Sequence, residues 1–271
     1  MGRAMDTIGF SRTAGGGGAD AAYTAVVFAS GDSGTVRAFN PAQRAVLYGI
    51  LLQYVTAGAR VRVRSPLMHD NVQGIAVRPG ETPIRVSLPR EAAQRLNPQD
   101  TLVVEGWSNL ASEVISGALQ VYYDDLGGAN ARLYMPGDIM PLIKNIKPMF
   151  IAAPENAAAG SWQNTVITTT EDLLKANQDY AILGYTIDRA EAAVGIVGPD
   201  TSNLRVCGPG DVRMFLTQSY FVDLCEESGR PSIPVFNSAN KGATYATVLS
   251  QTTGGTPNLQ LILAELERNL N

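Results

Sequence analysis

Imidazole chemistry has a single candidate residue in this chain. His69 is the only histidine among 271 residues, so it is the only imidazole that could act as the base for a serine or cysteine nucleophile. No nucleophile motif accompanies it, and the surrounding segment 68–71 has the composition of a loop. We interpret His69 as a loop histidine and keep a catalytic role as the less favoured alternative. The sequence predicts no catalytic residue and no enzymatic activity.

Metal and phosphate sites have equally few candidates. One histidine and two cysteines do not supply the ligands of a structural zinc site. The Asp-Asn pair at 70–71 and the Asp-Asp pair at 124–125 lack the spacing of a calcium loop, so we interpret them as turns rather than calcium sites. The glycines at 15–18 are not followed by Lys-Ser/Thr, so they do not form a phosphate loop. We expect no metal and no cofactor.

Thiols and indoles are predicted to be structural. Cys207 and Cys225 could form one disulfide, but Cys225 falls on the apolar face of a predicted helix, which favours two buried free thiols. Trp107 and Trp162 lie near strand ends, one in each half of the chain. We interpret both as core residues, the alternative being a platform on which a sugar stacks.

A strand with one basic face is predicted at 60–64. Arg60, Arg62 and Arg64 alternate with two valines, so the arginines share one face and the valines the other. The preferred interpretation is a solvated outer face; the alternative is contact with lipid head groups, nucleic acid or an acidic neighbour. General nucleic-acid binding is not expected, because 21 basic and 25 acidic residues give a net charge of −4.

Strands dominate the elements that position these residues. Alternating or β-rich runs, separated by Gly and Pro, predict strands at 35–39, 60–64, 84–88, 102–107, 119–123, 164–170, 180–187, 193–197, 243–249 and 259–264. Helices are predicted only at 89–96, at 218–225 with a stop at Gly229, and as a turn at 171–175. The sequence therefore predicts an all-β chain with short helices in its long loops.

Two segments are predicted to lie outside the folded units. Residues 1–22 are glycine-rich and carry no apolar stretch of a secretory signal, so we expect a flexible arm, or an arm ordered by a neighbouring subunit. No run approaches the ~20 apolar residues that span a bilayer. Segment 127–160 contains four prolines and is predicted to be an extended linker.

The two halves of the chain show a weak internal repeat. Residues 45–52 match 180–187 with Gly49 over Gly184 (184 − 49 = 135), and 119–126 match 259–266 with Gln120 over Gln260 (260 − 120 = 140). The alternative is coincidence, since β domains share turn chemistry. A branched side chain at Gly184 is expected to crowd the neighbouring strand.

This tandem pattern resembles the double jelly-roll major capsid proteins of icosahedral viruses with an internal membrane, in the compact form found in corticovirus-like and Finnlakevirus-like phages. The resemblance rests on architecture over about residues 23–271, because no diagnostic motif carries over. It implies two tandem eight-stranded jelly-roll β-sandwiches, at 23–145 and 146–271, and no enzymatic activity.

The resemblance also implies a function and partners. We expect a virion subunit, assembled in the host cytoplasm, whose homotrimers have a pseudo-hexagonal outline and tile the shell. Its partners would be neighbouring trimers, other virion proteins and internal membrane lipid reached through the arm, with no specific nucleic acid. Residues 1–150 carry 14 basic and 12 acidic side chains (+2) and residues 151–271 carry 7 and 13 (−6), so unlike halves could meet between subunits. The alternatives are a tandem β-sandwich that binds carbohydrate or a receptor, and a minor virion protein.

Overall fold

The computed structural model describes residues 2–40, 44–52, 58–66, 74–77, 84–87, 94–128, 130–152, 158–167, 174–251 and 253–270. His69 and the pair at 70–71 lie outside the described residues, as do most of the predicted helix 89–96 and most of the predicted turn 171–175.

Nineteen strands and three short α-helices make up the described chain. The first half contains β1 (Ala4–Thr13), β2 (Thr24–Ala25), β3 (Val27–Phe28), β4 (Ala45–Leu52), β5 (Arg60–Arg64), β6 (Ile75–Val77), β7 (Ile84–Ser87), β8 (Gln94–Leu96), β9 (Val103–Trp107) and β10 (Val114–Tyr123). The second half contains β11 (Leu133–Tyr134), α1 (Pro136–Ile139), β12 (Ile143–Ala152), β13 (Trp162–Val166), β14 (Asp179–Ile187), β15 (Glu191–Val197), β16 (Val206–Gly210), α2 (Met214–Thr217), α3 (Tyr220–Ser228), β17 (Ile233–Asn237), β18 (Tyr245–Leu249) and β19 (Asn258–Leu266). Three 3₁₀ segments of the described chain lie at Met140–Leu142, Pro199–Thr201 and Ser238–Ala243.

The strands form four antiparallel sheets, and the all-β prediction is confirmed. The first half has a large sheet of order β3-β1-β10-β4-β7, in which β8 also pairs with β4, and a small sheet of order β2-β9-β5-β6. The second half has a large sheet of order β11-β17-β14-β19-β12 and a small sheet of order β13-β18-β15-β16.

Both halves have the same strand order. If β2 and β3 count as one interrupted strand, and likewise β7 and β8, each half has eight strands from β1 to β10 or from β12 to β19. Apart from the edge strands β3 and β11, the large sheet then reads first-eighth-third-sixth in both halves, and the small sheet reads second-seventh-fourth-fifth. Within each half the sheets face one another: a Cβ at Gly106 would lie 3.4 Å from the Ile115 side chain, and the Tyr185 hydroxyl donates to the Pro209 carbonyl at 2.7 Å.

The flexible-arm prediction is wrong for residues 4–13. These ten residues form β1, which pairs along its whole length with β10 and is almost entirely buried. The sequence did not predict this strand, because its polar residues are typical of an exposed segment. In the structure, three of these polar side chains are buried with partners. Asp6 pairs with an arginine side chain, Arg12 with an aspartate side chain, and the Thr7 hydroxyl accepts a backbone N–H.

The other corrections concern local segments. The strand predicted at 35–39 is absent, since only Thr35 forms an isolated bridge, with Thr101; Val36 and Phe39 are buried from a loop. Gln94–Leu96, predicted as the end of a helix, is a strand paired with β4. The predicted linker contains α1 and β12, and Pro148 fits in β12 because an edge strand tolerates a missing N–H.

The helix predicted before Gly229 is confirmed as α3. Gly229 ends it with a left-handed backbone (φ 64°), and its N–H donates to the Cys225 carbonyl. Cys207 and Cys225 are both free and buried, as expected, and burial raises the pKa of each thiol.

A β-bulge recurs at the repeated glycines. In the first half Tyr48 is left without an opposite residue just before Gly49, and in the second half Leu183 is left out just before Gly184. A bulge is a specific structural feature rather than a consequence of strand composition. The structure thus places the two glycines at equivalent positions.

The register corrects the alignment of the closing strands. Gln120 lies opposite Gly49, and Ile262 lies opposite Gly184, so Gln120 corresponds to Ile262 (262 − 120 = 142). The sequence alignment with Gln260 is therefore two residues out. A two-residue shift keeps each side chain on the same face, so the hydrophobic pattern alone did not reveal it.

Candidate assembly surfaces

The two halves are joined through closely spaced sheets. Cα atoms of β10 and β15, and of β1 and β16, approach within 8 Å, closer than the roughly 10 Å usual between stacked sheets. Small side chains allow this approach: Ala118 on one side faces Ala192 and Ala193 on the other within one buried cluster. A Cβ at Gly9 would lie 2.9 Å from the Leu249 side chain, so an alanine at this position would require that side chain to shift. The four sheets therefore stack as consecutive layers, with the small sheet of the first half and the large sheet of the second half outermost.

Asp32 connects the halves electrostatically. It accepts hydrogen bonds from the Gly9 backbone N–H at 2.6 Å, the Trp162 indole N–H at 2.7 Å and the Arg205 guanidinium at 2.8 Å. Arg205 also stacks over the Trp162 ring, 4.6 Å from its centre. Desolvation raises the pKa of Asp32, while these donors act in the opposite direction.

Trp162 is thus a junction residue and not the core residue that the sequence predicted. The equivalent prediction for Trp107 is also wrong, because its ring is half-buried with Arg60 stacked 4.8 Å from its centre. Its indole N–H donates to the Asp20 carbonyl. Nothing in the sequence pattern distinguished these two tryptophans from core aromatics.

Buried side-chain hydrogen bonds complete the junction. The Gln120 amide donates to the Cys207 carbonyl at 2.6 Å and to the Tyr220 hydroxyl at 3.1 Å. The Tyr48 hydroxyl donates to the Leu224 carbonyl at 3.3 Å. Because a buried polar group costs free energy when it loses its partner, these pairs fix the two halves in one arrangement.

The predicted basic row lies on an outermost layer of the stack. Arg62 and Arg64 both pair with Glu105 of β9, at 2.6 and 3.0 Å, and Arg62 stacks over Tyr23. These arginine pairs lower the pKa of Glu105 against its desolvation. The valines of β5 are buried, as expected from the alternation. We call this surface the arginine face; it combines arginines and aromatic rings, with much of its charge neutralised by Glu105.

A second surface exposes large apolar side chains. Val212, Met214, Phe215 and Leu216 are exposed in and before α2, and β12 exposes Ile146 and Phe150. Sequence reasoning missed this surface, because exposure depends on tertiary packing. A local signal existed, since 212–217 is apolar apart from Arg213 and Thr217 yet too short for a core helix.

Metal-ligating side chains do not cluster among the described residues. Among them, no group of three His, Cys, Asp or Glu side chains could hold a metal ion. Asp125 accepts the Gly2 N–H, and Asp124 lies 3.7 Å from Arg230, so both carboxylates have structural contacts. None of the helices in this part of the chain has the length and apolar character required to span a bilayer. No protein-family model and no curated protein matches the sequence.

Proposed function

We propose that this chain is a structural subunit of an icosahedral virion, a major capsid protein that forms pseudo-hexagonal trimers and tiles the shell. The observation that carries the proposal is the strand order, which is the same in both halves. In an eight-stranded jelly roll, a first-eighth-third-sixth sheet faces a second-seventh-fourth-fifth sheet. We therefore propose that the chain folds as two tandem jelly rolls.

The tight junction supports a role as a building block. Two rolls that share buried small residues and buried hydrogen bonds move as one body, and a shell needs tiles of fixed shape. Three such bodies around a three-fold axis present six similar sides, and closed symmetric contacts stop growth within each trimer.

The partners follow from this proposal. The chain would contact copies of itself, neighbouring trimers and other virion proteins. It would have no sequence-specific nucleic-acid site, because Arg62 and Arg64 of the arginine face pair with Glu105. A lipid contact through residues 4–13 is not part of the proposal, because β1 is buried between β3 and β10.

The test is the mass and shape of the purified chain. Size-exclusion chromatography with light scattering should give three times the 28.8 kDa chain mass, and negative-stain microscopy should show particles of hexagonal outline. A strict monomer at all concentrations up to the solubility limit would overturn the proposal.

A further inference from the structure

We propose that a cavity where several strand ends meet binds a small organic molecule with one carboxylate and an apolar part. The cavity is lined by the residue before β1, by the segment that leads from β11 into β12, and by residues that follow β19. Its volume is about 600 Å³, which lies within the roughly 300–1,000 Å³ of small-molecule sites. The site is for a ligand and not for another subunit, so the inference goes beyond the proposed function.

Two arginines supply the positive charge of the cavity. Arg3 and Arg268 line it from opposite ends of the described chain. Most described arginines pair with a carboxylate, as Arg132 does with Asp179. Within the described residues, neither Arg3 nor Arg268 forms an ion pair. Their guanidinium groups therefore keep donors for a ligand, and a guanidinium can bind a carboxylate through two parallel hydrogen bonds.

The charge balance of the lining favours a ligand with one negative charge. Asp138 is the one acidic side chain among the described lining residues, and its carboxylate accepts the Met135 backbone N–H at 3.2 Å. Two arginines and one aspartate leave the lining with a net charge of +1. A carboxylate ligand neutralises this charge, whereas a phosphate dianion would leave an excess negative charge in the cavity.

The backbone that carries both arginines is fixed. The Arg3 carbonyl accepts the Ala131 N–H at 3.1 Å, directly before β1 begins. Two residues after Arg268, the Leu270 N–H donates to the buried Asp179 carboxylate at 2.7 Å. Binding must therefore order the arginine side chains but not the chain segments that carry them, which reduces the entropy cost of binding.

The remaining wall of the cavity is largely apolar. Leu133, Pro141, Leu142 and Leu270 line it. Leu133 belongs to the buried core, and Leu142 and Leu270 pack against that core. An inorganic anion would leave this wall in contact with water, whereas the apolar part of an organic carboxylate would cover it. Covering the wall also removes water from the carboxylate, which strengthens its attraction to the two guanidinium groups.

Isothermal titration calorimetry on the full chain tests the ligand class. The probe is 4-phenylbutyrate, and the matched probes are 4-phenylbutan-1-ol, which lacks the charge, and acetate, which lacks the apolar part. We expect saturable binding of 4-phenylbutyrate with a Kd of about 1 mM or lower. The alcohol and acetate should each bind at least about tenfold more weakly, because each keeps only one of the two recognised features.

A pair of double variants tests the location of the site. Arg3→Gln/Arg268→Gln should weaken 4-phenylbutyrate binding at least about tenfold. Arg44→Gln/Arg95→Gln is the matched control, because it removes two other exposed arginines that form no ion pair in the described part of the chain and do not line this cavity. The control should bind within about twofold of the wild type. Thermal unfolding should show both double variants melting within about 2 °C of the wild type, as expected for surface substitutions.

Three results would overturn the inference. The first is no saturable binding of 4-phenylbutyrate to the wild type up to about 10 mM. The second is equal binding of the alcohol, which would show that the charge is not recognised. The third is equal weakening in both double variants, which would indicate general attraction to surface charge and not a site. None of these results depends on the oligomeric state, so the capsid proposal is tested separately by the mass of the purified chain.

Discussion

Replacing Gly184 with valine tests how α2 is seated on the second half. A Cβ at this position would lie 2.3 Å from the Thr217 carbonyl oxygen and 2.5 Å from the Gln218 carbonyl carbon and oxygen. The sequence predicted crowding of a neighbouring strand, but the obstructing atoms belong to the backbone at the end of α2. Backbone atoms cannot rotate away as a flexible side chain would, so the helical segment must move.

The magnitude follows from this contact. Overpacking a filled site costs about 1–3 kcal/mol, and a clash with backbone places Gly184→Ala near 3 kcal/mol. Gly184→Val adds two methyl groups in the same space and should exceed that value. For a chain of this size each kcal/mol lowers the melting temperature by roughly 2–4 °C, so the alanine variant should melt about 6–12 °C lower.

Thermal unfolding followed by circular dichroism measures the effect. Gly242→Ala is the matched control, because no atom lies within 4 Å of a Cβ built at Gly242. The control should melt within about 2 °C of the wild type, as expected for a surface substitution. A Gly184→Val protein that melts with the control would refute the reasoning.

Two further predictions concern buried charges. Asp32→Ala should cost about 3 kcal/mol in urea unfolding, because it leaves the Arg205 guanidinium and the Trp162 indole N–H without their acceptor at the junction; a loss below about 1 kcal/mol would contradict this role. Hydrogen bonds from Lys147 and Lys175 lower the pKa of Glu265 from 4.5 to about 2. The ionised Glu265 therefore stabilises the fold above pH 4.5, and this contribution is lost as the pH falls towards 2. Glu265→Gln should therefore flatten the decline in melting temperature between pH 5 and pH 2, and an unchanged decline would show that other groups cause it.

The sequence predicted the strands best where one face is buried and the other is wet. The alternation at 60–64 gave both the strand and the direction of its arginines, because period two maps directly onto the two faces of a sheet. Prediction from alternation failed for β1, because both faces of this strand are buried and its polar side chains have buried partners. Such a strand has no alternation to detect, and its Asp6 and Arg12 resemble residues of a solvated arm.

The candidate surfaces were only half predictable. The row of Arg60, Arg62 and Arg64 was evident from spacing, but its neutralisation by Glu105 depends on the register of β5 with β9, about 40 residues further along the chain. The exposed apolar side chains of β12 and α2 lie about 65 residues apart in sequence, and only the pairing through β19 and β14 brings these two segments into one half of the fold. Contacts of that kind follow from topology, which short patterns do not encode.

The alanine-lined junction has an evolutionary consequence. If the two halves arose by gene duplication, their ancestors had to be soluble separately, but Ala118, Ala192 and Ala193 now lie together in one buried cluster between the halves. A half expressed alone would expose this apolar surface together with the Gln120 amide, which would lose its partner across the junction. Each half therefore covers a surface that the other cannot leave exposed, so we expect substitutions at the junction to accumulate in both halves together.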